Sequence, residues 1–205
     1  MRINALALLC LIIWIYILTV FKRGKLDFLR YLFGAVGLFV FMMIFIEPYI
    51  IKPLANLVTS VAGVIGEITG LFEAYNDYSI LFVTCDRTME SLSLYIDFEC
   101  SGVIEMMAFT ALVAFFEVYE IWQRVIVSVL GCVAIFLSNV IRITVICLII
   151  KIGGNSTYYI AHTIVGRMVF YALSIVLYYY VFTHAQIIKQ RIGGFSYASD
   201  KSSEK

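Results

Sequence analysis

The sequence predicts an all-α integral membrane protein. It reads as a polytopic bundle of about five transmembrane helices, with an amphipathic helix in the outer leaflet and a small external β-hairpin. Three observations carry this reading. Of the 205 residues, 62% are hydrophobic and 14% charged, where an ordinary soluble domain is ~45–50% apolar and about 25% charged. The mean hydropathy is +0.96, and the apolar residues gather in runs of the ~20 residues that a hydrocarbon core of ~30 Å requires. The lysines and arginines are concentrated in alternate connecting loops, as the positive-inside rule expects. A net charge of +1 and only two prolines exclude a basic nucleic-acid binder and a proline-rich disordered chain.

The first run, Ala5–Phe21, is followed at once by Lys22-Arg23-Gly24-Lys25 and by no small-residue cleavage site, so it reads as a retained helix and not a cleaved leader. The second span is Tyr31–Ile51. From Pro53 to Phe72 the pattern changes. Leu54, Leu57, Val58, Val61, Ile65, Ile68 and Phe72 fall on one stripe of a helix, and Asn56, Ser60, Gly63, Glu67 and Gly70 fall opposite. With Pro53 at its first turn, this segment is expected to lie on or re-enter the outer leaflet. A full crossing here would invert every later helix and break the charge rule. Next, Leu92, Leu94, Ile96 and Phe98 alternate with Ser91, Ser93, Tyr95, Asp97 and Glu99, the period of a strand. Ser79–Thr84 is its expected partner and Asp86–Met89 the turn. Three further spans follow, Cys100–Val118, Val125–Ile150 and Ala161–Thr183. Residues 1–192 read as one integral membrane domain with a core at 99–170, and 193–205 as a disordered cytoplasmic tail.

Orientation follows from the loops. Lys22, Arg23, Lys25, Arg30, Arg124, Lys189, Arg191, Lys201 and Lys205 fall on one side, and Arg2, Lys52, Arg87 and Lys151 on the other. The richer side is expected to be cytoplasmic, which puts the N-terminus outside and the C-terminus inside. The stretch Glu47–Glu99, with its excess of carboxylates, is then external.

This topology brings Cys100, Arg142 and His162 toward one face. Cys100 opens the third span from outside and His162 the fifth. Arg142 lies nine residues before Lys151 on the outward-running fourth, ~13 Å below that end at 1.5 Å per residue. An arginine within an apolar helix costs ~2.5–3.5 kcal/mol on insertion scales, so it requires a partner or an aqueous cavity. Asn139 shares its helix face and is a candidate partner. Glu105 and Arg167 sit at matched depth and are expected to form an ion pair; Glu105 with Arg142 is the competing pairing. A thiol beside an imidazole and a guanidinium has the parts for acyl transfer: a nucleophile, a proton carrier and an oxyanion stabiliser. A zinc site built from Cys100, His162 and Cys85 has no supporting ligand spacing, and no cofactor or metal is expected. In the hairpin register Cys85 faces Glu90, away from Cys100, which argues against a disulfide between them. Cys10, Cys132 and Cys147 lie in apolar runs and read as small core residues.

At these residues the chain resembles the exosortase/archaeosortase family of membrane transpeptidases. The pieces are Glu99-Cys100-Ser101-Gly102 opening a helix, Asn139-Val140-Ile141-Arg142 within a helix, and His162-Thr163-Ile164-Val165-Gly166 opening the next. The short length and compact helix set look most like the type G exosortases of Gram-positive bacteria, although many family members are longer. The resemblance implies a multi-pass enzyme of the bacterial plasma membrane. It would cleave C-terminal sorting signals of secreted proteins (short motif, hydrophobic helix, basic cluster) at the outer face through a thioester. By position Cys100 would be the nucleophile, Arg142 the oxyanion stabiliser and His162 the general acid/base. The partners implied are a protein with a hydrophobic C-terminal tail and the bilayer, with no nucleic acid; the sequence does not identify the acceptor. The alternative is a non-catalytic membrane component of an export or polysaccharide-assembly system, with its charged membrane residues serving as helix glue.

Overall fold

The computed structural model describes residues 5–75, 78–85, 91–96 and 98–188. The expected hairpin turn Asp86–Met89 and the expected tail 193–205 lie outside the described residues. The architecture is mostly helical, with one small antiparallel sheet. Its helices are α1 (Ala5–Arg23), α2 (Asp27–Phe45), α3 (Glu47–Thr69), α4 (Phe98–Ser101), α5 (Val103–Phe115), α6 (Ile121–Gly153) and α7 (Gly166–Tyr178). α7 is the middle of a longer helical run, Asn155–Ile188, which contains π-helical turns at Ile160–Val165 and Tyr179–His184.

Among the described residues four helices are long and apolar enough to cross a membrane: Asp27–Phe45, Glu47–Thr69, Ile121–Gly153 and Asn155–Ile188. This set differs from the five expected spans. The expected span Cys100–Val118 is interrupted. Gly102 adopts φ +77°, a left-handed conformation that side-chain-bearing residues avoid, and it separates the one-turn α4 from α5. Phe116 is extended, so α5 stops after 13 residues, a length of ~20 Å. The expected break at Pro53 also moves. α2 ends at Phe45, and α3 starts at Glu47 with Pro48 in its first turn, where a missing N–H costs nothing. Pro53 instead lies inside the continuous α3. The amphipathic segment is therefore the later part of a helix that starts six residues before Pro53, at Glu47.

The hairpin gains a third strand. β1 (Glu73–Tyr75), β2 (Ile80–Thr84) and β3 (Ser91–Tyr95) form an antiparallel sheet in the order β1-β2-β3. Leu81 pairs with Leu94 and Val83 with Leu92. The anticipated alternation holds along β3, but the chain leaves the sheet after Tyr95 and turns into α4.

Two apolar clusters organise the molecule. One joins Phe109 and Val113 of α5, Ile135 of α6 and Phe170 of α7. The other joins Ala55, Val58 and Ala62 of α3, Leu81, Val83 and Leu94 of the sheet, and Ile143, Ile146, Cys147 and Ile150 of α6. α6 therefore serves both, its first half in one and its second half in the other. At 33 residues it is ~50 Å long, well beyond a hydrocarbon core of ~30 Å. A capping box of Glu120 and Gln123 fixes its start. At its far end Lys151 Nζ donates to the Gly70 carbonyl at 2.5 Å, tying it to the end of α3. An Arg30–Glu117 ion pair joins the start of α2 to the chain just after α5, and Phe115 packs on Gly34, so these two helices run antiparallel.

Candidate active site

The seam between the two clusters holds the polar residues. α4 delivers Cys100, buried at 8% exposure, and its Sγ lies 3.2 Å from Nε2 of His162. His162 sits in the π-helical turn Ile160–Val165. Such turns insert an extra residue and re-aim side chains, and they recur at functional sites. Tyr158, one turn earlier, stacks on the imidazole with ring centroids 5.7 Å apart and planes at 16°. Arg142 Nη2 reaches to 3.9 Å from the same sulfur, and its guanidinium carbon lies 5.9 Å from the centre of the Phe170 ring, within cation–π range. Sulfur, imidazole and guanidinium thus meet in one place.

Asn139 is fully buried and performs a different task from the expected one. Its Nδ2 donates to the Cys100 carbonyl at 2.6 Å, so it positions the backbone of the cysteine and not the arginine. Its Oδ1 and the Nε of Arg142 are both buried without a hydrogen-bond partner. A side chain on Gly102 would sit 3.6 Å from the Asn139 amide; the left-handed glycine and the amide together set the angle at which α4 presents Cys100.

Glu105, Arg142 and Arg167 all border a cavity of about 240 Å³, with Ile104, Phe170 and Tyr171 completing its lining. Among the described residues no salt bridge joins Glu105 to Arg142 or to Arg167, so neither expected ion pair forms. Matched depth along two helices brought these groups to one cavity, but it does not determine how far apart their long side chains stay. Cys85 follows β2, lies against Gly154 and borders a separate cavity with Leu92, Ile150 and Asn155. A larger cavity of about 820 Å³ lies at the opposite end of α5, lined by Asp27, Tyr31, Phe115, Glu117 and Tyr178 among others; it contains none of the site residues.

Sequence reasoning missed Tyr158, Ser101 and the break at Gly102. Tyr158 is four residues before His162, one helical turn, and that spacing was its only signal. Ser101 is buried and its Oγ accepts from the Val103 amide at 3.4 Å. A glycine two residues after the cysteine was visible, but nothing in the sequence distinguished a left-handed break from a helical glycine.

The fold and this cluster define a multi-pass membrane protein with a thiol–imidazole–guanidinium site held between two packed halves. Residues 1–180 match the transmembrane exosortase family, and the chain belongs to it. No curated protein and no solved structure matches the chain. Family membership implies a transmembrane role in processing sorting signals on protein substrates.

Proposed function

We propose that this protein is a membrane cysteine transpeptidase or peptidase, of the type G kind, that cleaves C-terminal sorting signals of secreted proteins. The observation that carries the proposal is the single pocket in which Cys100 Sγ is 3.2 Å from His162 Nε2 and 3.9 Å from Arg142 Nη2. Both neighbours favour the thiolate, which is the nucleophile. In the reaction, Sγ attacks the scissile carbonyl carbon and the carbonyl electron pair moves to oxygen. Arg142 stabilises that oxyanion, with added strength where water is excluded. Collapse of the intermediate breaks the C–N bond, His162 donates a proton to the leaving amine, and a thioester remains on Cys100. An amine or water, deprotonated by His162, then attacks the thioester and expels the thiolate.

The depth of the site supports a substrate anchored by its own helix. From Ile121 to Arg142 is about 31 Å along α6, one hydrocarbon thickness. Beyond that level α3 and the sheet cover the remaining turns of α6. We assign that covered end to the outside of a bacterial plasma membrane, with the N-terminus outside and the C-terminus cytoplasmic. A substrate helix spanning the bilayer would then present its scissile bond at the level of Cys100.

The test is processing of a secreted protein that ends in a motif, a hydrophobic helix and a basic cluster. Cys100→Ala and His162→Ala are expected to abolish conversion, read as a mobility shift in membranes, while both variants insert at normal levels. Full conversion by Cys100→Ala would remove the covalent mechanism and leave the non-catalytic alternative.

A further inference from the structure

The corner between α6 and the last helix fixes a residue that the reaction above does not use. α6 ends at Gly153, and Gly154, at φ +74°, takes the chain out of the helix. One 3-10 turn, Asn155–Thr157, follows, and Thr157 Oγ1 donates to the Gly154 carbonyl at 2.8 Å. Tyr158 comes next, so this corner sets its place ahead of the π-helical turn that carries His162. The far side of that turn is fixed as well. Ala161 is fully buried, and Gly166 packs against Ile146 of α6 too closely for any side chain.

The backbone around His162 is therefore held on both sides, but a backbone does not orient a ring. The terminal torsion of histidine is broad and only weakly set by its own chain. The Tyr158 ring lies against one face of the imidazole, with centroids 5.7 Å apart and planes at 16°, within the range of attractive ring pairs. A stacked neighbour occupies the face and leaves the edge free. The edge carries Nε2, which lies 3.2 Å from Cys100 Sγ, and a ring nitrogen bonds within its own plane. The face that Tyr158 holds thus sets the direction in which Nε2 points.

We propose that Tyr158 is a positioning residue of the thiol site, its ring holding the imidazole in the plane from which Nε2 takes the Cys100 proton. The inference rests on the thiol–imidazole reading above, because Tyr158 acts only through His162. When the proton passes from Sγ to Nε2, a thiolate and an imidazolium are left, and the same ring face attracts the cation. The working part is the aromatic face and not the hydroxyl.

The test uses the full chain in a neutral detergent and needs no sorting substrate. Iodoacetamide is added near neutral pH, and peptide mass spectrometry follows the alkylation of each cysteine, with the exposed Cys10 as internal standard. The rate at Cys100 reports its thiolate. His162→Ala is expected to slow it, which checks the underlying reading. Tyr158→Leu is expected to slow it about three- to tenfold, the range to which ring-pairing energies correspond, and Tyr158→Phe to leave it at the parental rate. The double variant His162→Ala/Tyr158→Leu is expected to be no slower than His162→Ala, since residues acting as one unit are not additive. Tyr158→Gln, which also lacks a ring, is expected to match Tyr158→Leu and keeps the test decisive if the leucine variant does not accumulate. A parental or faster rate in the ringless variants overturns the proposal. So does a Tyr158→Phe protein as slow as they are, which would make the hydroxyl the working part, or a double variant with additive losses, which would place the effect elsewhere. All three leave the dependence on His162 intact. A parental rate in His162→Ala overturns the thiol–imidazole pair itself, and the proposal with it.

Discussion

Phe109, Val113, Ile135 and Phe170 pack among α5, α6 and α7, whereas Val58, Leu81, Val83, Ile146 and Ile150 pack among α3, the sheet and the end of α6. Under the topology proposed above, which puts the second cluster outside the bilayer, different physics holds them. Within the bilayer, lipid tails are as apolar as the side chains, so helices associate through close packing and polar contacts with no hydrophobic drive. Gly131, against which the Phe109 ring lies too closely for any side chain, is an instance of such close approach. Where water is the competing solvent, as the proposed topology has it for the second cluster, burial of leucine and valine is favourable by the ordinary transfer term. Cys100, His162 and Arg142 meet at the seam between the two clusters. There Arg142 is shielded by protein, which relieves the cost that a lipid-facing arginine would carry.

The largest expected effect tests the seam itself. Arg142→Lys should reduce turnover on the order of 100- to 1,000-fold, because lysine keeps the charge but loses the planar fork and one oxyanion donor. Single-turnover cleavage of the tailed substrate would measure it, and near-normal turnover would make the arginine structural.

The comparison of the two halves is sharpened by matched truncations. Leu81→Ala in the sheet should destabilise the outer half by ~2–5 kcal/mol, the cost of a buried leucine in water-facing protein. Phe109→Ala removes a larger side chain, yet it should cost less than the ~3–5 kcal/mol of an aqueous core, because the lost contacts are exchanged for lipid. Limited proteolysis of the outer half and unfolding in mild detergent would read the two separately. A larger loss for Phe109→Ala would contradict the division drawn here.

Gly102→Ala comes next. A left-handed non-glycine residue costs roughly 1–2 kcal/mol, and the added methyl sits beside Asn139, so thiol labelling of Cys100 should slow even where the fold survives. Unchanged labelling would show that the angle between α4 and α5 is unimportant. The smallest effect is expected at Glu117→Gln. Its ion pair with Arg30 is partly exposed at 26% and 48% of the two side chains, where such pairs contribute about 0–1 kcal/mol.

Much of this arrangement was legible in the sequence. Hydropathy alone placed most helices, because a run such as Val125–Ile150 has no other stable environment than lipid or a protein interior. Period-two alternation placed β3, and the register predicted for the hairpin is the one found for Leu81 with Leu94. The cost of Arg142 in an apolar helix marked it for attention before any contact was known. The first failure was at Pro53, where a proline signal misled while Pro48, five residues earlier, held the true first turn. Proline is tolerated inside a helix whose other contacts compensate, and α3 has them on one side with α6 and the sheet. Asn139 was the second failure: its helix face suggested Arg142, and only the fold brought the Cys100 carbonyl within 2.6 Å of its amide.

The sequence by itself determined a multi-pass helical protein and the approximate level of Cys100, Arg142 and His162 along their helices. These are properties of composition and local periodicity, which act over a few residues at a time. Only the tertiary structure decided that Cys100, His162 and Arg142 meet, that Asn139 serves the cysteine, and that Glu105, Arg142 and Arg167 border one cavity. Those outcomes depend on how α4, α6 and the last helix rotate and cross, which is set by packing between segments 39 to 62 residues apart in the chain and leaves no local trace.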